Sequence, residues 1–306
     1  MKNYFVYPNV VGYGRAKDRV AVLVWRKVPE NELRPQEIIP KFEEEGQTNV
    51  IEVGDIVALR TGRFRPAPGG VSIGHFAITA GTLGTRVYDS NNRRLILSNN
   101  HVLANSNNGQ LGDAILQPGS YDGGGAEDQI AELLRFIPIK FESVQKQSVL
   151  SSTLANIANF ILQLMDDPCR LREECPDGGV NVIDAALAGP INDADLSDEV
   201  LDIGVVSGIM EAEIGMQVRK SGRTTGLSFG EVQIIDAVVK VGYGGGRMAT
   251  FERQIITSNI SEGGDSGSLL VHAKDNVAVG LLFAGSSQVT VHNPIGEVLN
   301  LLEVTI

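Results

Sequence analysis

From about residue 77 onwards, short apolar runs alternate with turn signals, and this spacing constrains the fold more than any other feature. One group of runs comprises HFAITAGTLG, TRVYD, RRLILSNNHVLA, DAILQPG, QIAELLRFIPI and VNVIDAALAG. A second comprises IGVVSGI, MQVRKSG, FGEVQIIDAVVKVGY, RQIITSNI, GSLLV and AVGLLFAG. Such runs, bounded by some of the chain's 35 glycines, are typical of strands. Two groups of about six predict a mostly β protein with two six-stranded antiparallel barrels.

Two segments depart from this pattern. Residues 1–61 combine strand-like DRVAVLVWRKVP and TNVIEVGDIV with a charged, proline-punctuated stretch, which predicts a small α+β module. Residues 143–177 carry apolar side chains near helical spacing, which predicts a helical insertion. The predicted domains are therefore 1–61, a first barrel at 62–195 that carries the insertion, and a second barrel at 196–306. We expect the insertion to pack on the barrel surface; a lid or a homo-oligomer contact is the alternative.

Composition excludes several classes of partner. A formal net charge of −11 without a basic cluster argues against nucleic-acid binding, which needs a positive surface. No apolar stretch is long enough to span a bilayer, and the start of the chain is a poor signal peptide, so a cytoplasmic protein is expected. Cys169 and Cys175 share one acidic loop without a Cys/His pair nearby. Free thiols are favoured there over a disulfide or half of a metal site.

Two glycine-rich stretches do not support a ligand site. VGYGGGRMA lies between two strand-like runs, whereas a phosphate-binding loop needs a following helix, so a hairpin loop is predicted. DGGGAED, with Asp122, Glu127 and Asp128, lacks the alternating ligand pattern of a dedicated calcium site. Neither a metal nor a cofactor is expected.

The stretch SEGGDSGSLLV places Ser266 between Asp265 and Gly267, just before an apolar strand. Turns of glycine, aspartate and serine are common, so Ser266 is either a nucleophile or the hydroxyl of a tight turn. The nucleophile elbow of an α/β-hydrolase does not fit, because Ser268 occupies the place of its last glycine. A nucleophile here requires a base and an orienting acid from elsewhere in the chain.

Only one of the four histidines has a setting suited to proton transfer. His101 in LILSNNHVLA follows an apolar strand that ends in small polar residues, which points its imidazole at a loop. His75, at the start of a predicted strand, His272 and His292 lack such a setting. We expect structural roles for these three.

Among the acids, Asp184 is the one carboxylate in the apolar strand-like run NVIDAALA. A buried carboxylate is costly unless its charge is needed, and orienting a histidine is such a need. Asp113, Asp122 and Asp128 lie in glycine-rich sequence and are expected to be exposed caps or turn residues. The candidates thus follow the order His101, Asp184, Ser266.

These motifs resemble those of chymotrypsin-like serine proteases. GGDSGSLLV resembles their nucleophile motif, VIDAALA their aspartate motif, and LSNNHVLA their histidine motif in its bacterial HtrA form. VRKSGRTTGLSFGEV and PGGVSIGHFAITAGTLG also resemble trypsin-like peptidases related to the plant protein NARROW LEAF 1. The similarity covers the chain from about residue 62. No PDZ-like sequence follows, so an HtrA architecture is not expected.

The resemblance implies a serine endopeptidase that acts on a protein or peptide through an acyl-enzyme. Ser266 would attack the scissile carbonyl, His101 would transfer the proton, and Asp184 would fix the histidine tautomer. The backbone amides of Gly264 and Ser266 would form the oxyanion hole. Asp265 would anchor the loop without taking part in the chemistry. The family's usual disulfides and activation sequence are not visible here.

The resemblance also implies a specificity pocket, with Ile260 at its base and Phe283, Ala284 and Gly285 along its wall. An apolar Ile260 predicts a preference for small or apolar side chains, and Glu262 is the nearby acid that would favour a basic one. The rival hypothesis is a protease fold kept as a catalytically silent scaffold or interaction module. The presence of all three triad residue types argues against that rival.

Overall fold

The computed structural model describes residues 2–17, 19–43, 46–53, 60–78, 80–142 and 179–306 of the 306-residue chain. Two compact units are present, residues 1–58 and 59–306. The predicted helical insertion at 143–177, together with Cys169 and Cys175, lies outside the described residues. The predicted domain boundaries at 61 and 195 stay predictions.

The first unit is a small four-stranded sheet in the order β1-β2-β4-β3. Its strands are β1 (Val10–Ala16), β2 (Arg19–Val24), β3 (Phe42–Glu43) and β4 (Gly46–Glu52). Val20, Val22 and Val24 of β2 are buried, because successive side chains of a strand point to opposite faces. The proline-punctuated stretch between β2 and β3 forms two 3-10 turns, Glu30–Glu32 and Pro35–Glu37.

In the described residues 60–78, 80–142 and 179–205, the second unit has ten strands and one short helix. They are β5 (Ala67–Gly69), β6 (Ser72–His75), β7 (Gly81–Thr82), β8 (Thr85–Tyr88), β9 (Arg94–Ser98), α1 (Asn100–Leu103), β10 (Ala114–Leu116), β11 (Gln129–Phe136), β12 (Ala186–Pro190), β13 (Leu196–Val200) and β14 (Gly204–Val205). Seven strands form a barrel-like antiparallel sheet in the order β7-β6-β10-β11-β12-β9-β8. This is one strand more than the sequence predicted. A separate sheet has the order β14-β13-β5. In it, β13 runs parallel to β5.

The last six strands form a closed barrel in the order β15-β16-β17-β20-β19-β18. They are β15 (Gln217–Gly222), β16 (Gly226–Gly242), β17 (Met248–Ser258), β18 (Leu269–His272), β19 (Ala278–Gly285) and β20 (Val289–Pro294). β18 pairs back with β15, so every strand has two neighbours. The second barrel has the predicted number of six strands, and the protein is mostly β as expected. One member differs: the predicted strand IGVVSGI contributes β14 to the separate sheet, and β20, which was not predicted, takes its place in the barrel.

A shared apolar core joins the seven-stranded sheet and the closed barrel of the second unit. Leu95 and Leu97 of β9 lie in one buried cluster with Leu269 of β18 and Leu281 of β19. A helix that was not predicted, α2 (Ile295–Leu302), adds its apolar face to this cluster. His101 follows β9 and Ser266 precedes β18, so this core connects the segments that carry the two residues.

Candidate active site

His101 lies on the single turn of α1, directly after β9. Two buried asparagines anchor this turn: Asn99 Nδ2 donates to Asp184 O at 2.7 Å, and Asn100 Nδ2 donates to Ile137 O at 2.8 Å. The His101 side chain is 22% exposed, so one edge of the imidazole faces solvent. The NN pair before the histidine thus fixes the backbone that presents it.

Asp184 is fully buried and contacts His101 twice. His101 Nδ1 lies 2.6 Å from Asp184 Oδ2, and the His101 amide donates to Asp184 Oδ1 at 3.2 Å. The Asp184 amide donates to Asn293 Oδ1 at 2.9 Å, which ties the segment to the barrel. The residue precedes β12 by two positions instead of lying within the strand as predicted. Its carboxylate can hold the imidazole in the tautomer that leaves Nε2 free to accept a proton.

Tyr243 is a site residue that sequence reasoning missed. It lies in the predicted hairpin loop, now confirmed between β16 and β17, and its hydroxyl donates to Asp184 Oδ2 at 2.8 Å. Its ring meets the His101 ring edge to face, with centroids 5.9 Å apart. Burial, together with the Asp184 charge, raises the pKa of Tyr243 well above its usual value, so it remains a proton donor. Only its aromatic character within a glycine-rich loop could have drawn attention to it.

Ser266 lies in the tight loop before β18. Thr82 N donates to Ser266 O at 2.8 Å, and Gly267 N donates to Leu282 O at 2.8 Å. Gly264 and Gly267 have φ angles of +99° and +97°, a conformation that favours glycine. Within the described residues, the amides of Gly264 and Ser266 donate to no acceptor. Two backbone donors therefore remain available beside the Ser266 side chain.

Asp265 holds this loop from inside the protein. Its carboxylate accepts from Lys220 Nζ at 2.9 Å, from Thr225 Oγ1 at 2.7 Å and from the Thr224 amide at 2.8 Å. The side chains of Asp265 and Lys220 are both fully buried. Burial favours a higher pKa for Asp265, but the Lys220 charge and these hydrogen bonds outweigh it and lower the pKa. The geometry fits the anchoring role expected for Asp265.

His101, Tyr243 and Ser266 line one open cleft of about 750 Å³. The predicted wall residues Phe283, Ala284 and Gly285 line it as well. In the described part of the chain, His101 and Ser266 are not hydrogen-bonded to each other, and such contacts often form only in the substrate complex. The cleft thus brings together the predicted base, nucleophile and wall.

A second cavity of about 460 Å³ adjoins Ser266 and Gly285. Its lining is polar at Asn259, Ser261 and Glu262. Ile260, expected at the pocket base, lies outside both cavities: it is 5% exposed and belongs to the apolar core of the barrel. That expectation is corrected, because the backbone turns its neighbours and not Ile260 toward the cavity.

The remaining histidines lie outside this cleft. His75 ends β6, instead of beginning a strand, and its Nε2 lies 2.9 Å from Asp113 Oδ2. His272 Nδ1 lies 2.9 Å from Asp275 Oδ2, and His292 is fully buried in β20. These contacts agree with structural roles.

Asp122 and Asp128 differ from the expectation of exposed turns. The Asp122 side chain is 5% exposed and pairs with Arg223, and the Asp128 side chain is 13% exposed and pairs with Arg63. Basic partners distant in sequence bury these carboxylates. Among the described residues, no group of His, Cys, Asp or Glu could hold a metal ion, and no helix is long and apolar enough to cross a membrane.

No protein-family model and no curated protein matches the chain. Solved structures similar to it include the Nocardiopsis protease NAPase, with 20% identity and a TM-score of 0.49 over 78% of this chain and 97% of that one. Thermobifida fusca protease A has 17% identity and a TM-score of 0.49, over 78% and 96%. Cellulomonas bogoriensis chymotrypsin has 17% identity and a TM-score of 0.48, over 78% and 97%. These neighbours are serine proteases of the trypsin/chymotrypsin fold.

Proposed function

We propose that the protein is a serine endopeptidase that hydrolyses peptide bonds through an acyl-enzyme. One observation carries the proposal: the buried Asp184 carboxylate lies 2.6 Å from Nδ1 of His101, in a cleft that Ser266 also lines. The buried carboxylate binds one nitrogen of an imidazole whose other edge faces the cleft. This arrangement makes the other nitrogen a base. The open cleft has room for an extended peptide.

In the proposed reaction, Ser266 Oγ attacks the scissile carbonyl carbon while His101 Nε2 accepts the hydroxyl proton. The oxygen of the tetrahedral intermediate accepts hydrogen bonds from the free amides of Gly264 and Ser266. His101 then returns the proton to the leaving amine, and an acyl-serine remains. A water molecule then gives its proton to His101 and attacks the ester carbonyl; His101 passes that proton to Ser266 Oγ as the acid is released.

The substrate is inferred from the cleft. β19 ends at Phe283, Ala284 and Gly285, which line the cleft beside Ser266 and offer backbone groups to an extended protein or peptide substrate. Within the serine peptidases, we infer a relationship to the bacterial trypsin-like group related to NARROW LEAF 1, with an HtrA-like histidine motif. The cytoplasmic location and the homo-oligomer stay predictions, and sedimentation at micromolar concentration tests the second.

Labelling with a fluorophosphonate probe tests the proposal. We expect the native protein to be labelled, and Ser266→Ala and His101→Ala to lose the label, because the probe reacts only with an activated serine. Ser90→Ala, at an exposed turn serine, is the matched control and should label like the native protein. A folded native protein that takes up no label would favour the silent scaffold.

A further inference from the structure

The loop that carries Ser266, residues 259–268, is called the nucleophile loop. Two threonine hydroxyls donate hydrogen bonds to successive carbonyl groups of this loop. Thr224 Oγ1 donates to Gly263 O at 2.8 Å, and Thr82 Oγ1 donates to Gly264 O at 2.9 Å. Thr224 lies in the turn between β15 and β16, whereas Thr82 ends β7 of the other sheet. The loop therefore accepts hydrogen bonds from a residue of the seven-stranded sheet and from a residue of the closed barrel.

The hydrogen bond from Thr224 Oγ1 to Gly263 O fixes the orientation of the peptide that joins Gly263 and Gly264. In a trans peptide, the C=O of one residue and the N–H of the next point in opposite directions. A carbonyl of Gly263 that faces Thr224 therefore turns the N–H of Gly264 away from Thr224. That N–H is one of the two loop amides that donate to no acceptor in the described chain. Rotating this peptide by half a turn would put a carbonyl oxygen where the donor is.

Arg223 holds both threonines in place. Its backbone amide donates to Thr82 Oγ1 at 3.0 Å, and its Nη1 donates to Thr224 Oγ1 at 3.1 Å. Because each hydroxyl already accepts from Arg223, its own proton is directed to the carbonyl of the loop. The relay gives each hydroxyl one defined donor role.

Asp122 in turn fixes Arg223. Arg223 Nε donates to Asp122 Oδ2 at 2.7 Å and Nη2 contacts Asp122 Oδ1, a bidentate arrangement that sets the plane of the guanidinium. Ser72 Oγ donates to the same carboxylate at 2.5 Å. The side chains of Asp122 and Arg223 are 5% and 12% exposed, so solvent competes little for these contacts.

Little space is left for the loop to shift. A Cβ built on Gly264 would lie 2.5 Å from Thr224 Oγ1 and 2.7 Å from Arg223 Nη1. The Thr224 and Arg223 side chains thus occupy the space that a side chain at position 264 would need. Glycine is the residue that fits both this contact and the φ angle of +99°.

We propose that Thr224 is a positioning residue, which orients the Gly263–Gly264 peptide so that the Gly264 N–H faces the carbonyl oxygen of the substrate. The proposal rests on the serine peptidase function proposed above. Thr224 acts through a backbone group and does not touch the reacting atoms. Arg223 and Asp122 support its hydroxyl.

Thr224→Val and Thr224→Ser form the matched pair that tests this role. Valine keeps the shape and loses the hydroxyl, whereas serine keeps the hydroxyl and loses the methyl group. We expect the second-order rate of fluorophosphonate labelling to fall about 10²-fold in Thr224→Val, the lower range for loss of one oxyanion donor. Thr224→Ser should label within about threefold of the native rate. Both variants should unfold cooperatively, with a midpoint of thermal unfolding within a few degrees of the native one.

Equal labelling rates in the two variants, whether both native-like or both slow, would overturn the proposal. An unlabelled native protein would instead refute the peptidase function. In that case the orientation of the Gly263–Gly264 peptide tests the role of Thr224 without any reaction. Crystal structures of the native protein and Thr224→Val give that orientation. A reversed peptide, with a negative φ at Gly264, in Thr224→Val alone supports the proposal, and an unchanged peptide overturns it.

Discussion

Tyr243 donates its hydroxyl to Asp184 Oδ2 at 2.8 Å, and the same carboxylate oxygen lies 2.6 Å from His101 Nδ1. The carboxylate thus has a donor that comes from the long β16–β17 hairpin, 59 residues further along the chain. Phe141 packs against the Tyr243 ring with centroids 5.4 Å apart and keeps it in place. The hairpin therefore contributes directly to the electrostatic setting of His101.

Tyr243→Phe removes this hydrogen bond and leaves the ring. A hydrogen bond to a charged group contributes about 1.5–3 kcal/mol, so misorientation of Asp184 should slow fluorophosphonate labelling by about tenfold. Tyr121→Phe, at a tyrosine that is 71% exposed, is the control and should label at the native rate. Native-like labelling of Tyr243→Phe would mean that Asp184 needs no second donor. The increase in phenolate absorbance with pH should be the same for Tyr243→Phe and the native protein up to about pH 11, because the raised pKa of Tyr243 keeps its hydroxyl from ionising.

Lys220→Met leaves the buried Asp265 carboxylate without its cation. Breaking a buried ion pair by removing one partner typically costs about 3–5 kcal/mol, and urea unfolding should show a loss of this size. Lys240→Met is the matched control, because Lys240 is 66% exposed and its contact with Glu142 spans 3.1 Å. An exposed pair contributes about 0–1 kcal/mol. Similar losses in the two variants would show that the Lys220–Asp265 pair is not specially important.

The same variant should change how stability depends on pH. In the native protein, the pKa of Asp265 is lowered, so its stabilising contribution is present above about pH 4 and is lost as pH falls through that lower pKa. Without Lys220, burial should raise the pKa of Asp265, so stability is lost as pH rises through it. The difference in unfolding free energy between the two proteins should therefore grow from about pH 4 to pH 7. A difference in unfolding free energy that does not change with pH would contradict the prediction that Lys220 lowers the pKa of Asp265.

His292 should make the native protein sensitive to mild acid. Burial, assisted by the Lys220 charge, lowers the pKa of His292 to about 3. The unfolded chain takes up this proton near pH 6.5, so the stabilising contribution is present above that pH and is lost on acidification. The slope should approach about 1.4 kcal/mol per pH unit. His292→Gln keeps a hydrogen-bonding group near Thr257 and should reduce the slope; an unchanged slope would refute the prediction.

Gly267 and Gly244 make a matched pair for the conformation of the nucleophile loop. Both have positive φ angles, +97° and +75°, but a Cβ on Gly267 would lie 2.2 Å from Ser98 Oγ and Thr82 O, whereas nothing lies within 4 Å of one on Gly244. Gly244→Ala should cost about 1–2 kcal/mol from backbone strain alone. Gly267→Ala should cost clearly more in urea unfolding, since the backbone must shift. Equal costs would show that the loop adapts freely.

The strands and the triad candidates could be predicted because their signals are local. Apolar runs between turn residues identify strands, and His101 and Ser266 each follow or precede such a run. Helix α2 also has a local signal, with Ile295, Val298 and Leu299 at helical spacing.

The rest depends on contacts between residues far apart in sequence. Tyr243 gains its importance from Asp184, and Asp122 is buried because Arg223, 101 residues later, pairs with it. The position of Ile260 depends on which side chains the end of β17 turns into the barrel. No local pattern encodes these relationships, so only the assembled sheets reveal them.

The cation that faces Asp265 belongs to Lys220, a side chain in the middle of a barrel strand. Its amine is present from synthesis, and it reaches Asp265 when β15 pairs with β18 and closes the barrel. The nucleophile loop thus acquires its counter-ion through folding, with no cut in the chain to create a new terminus.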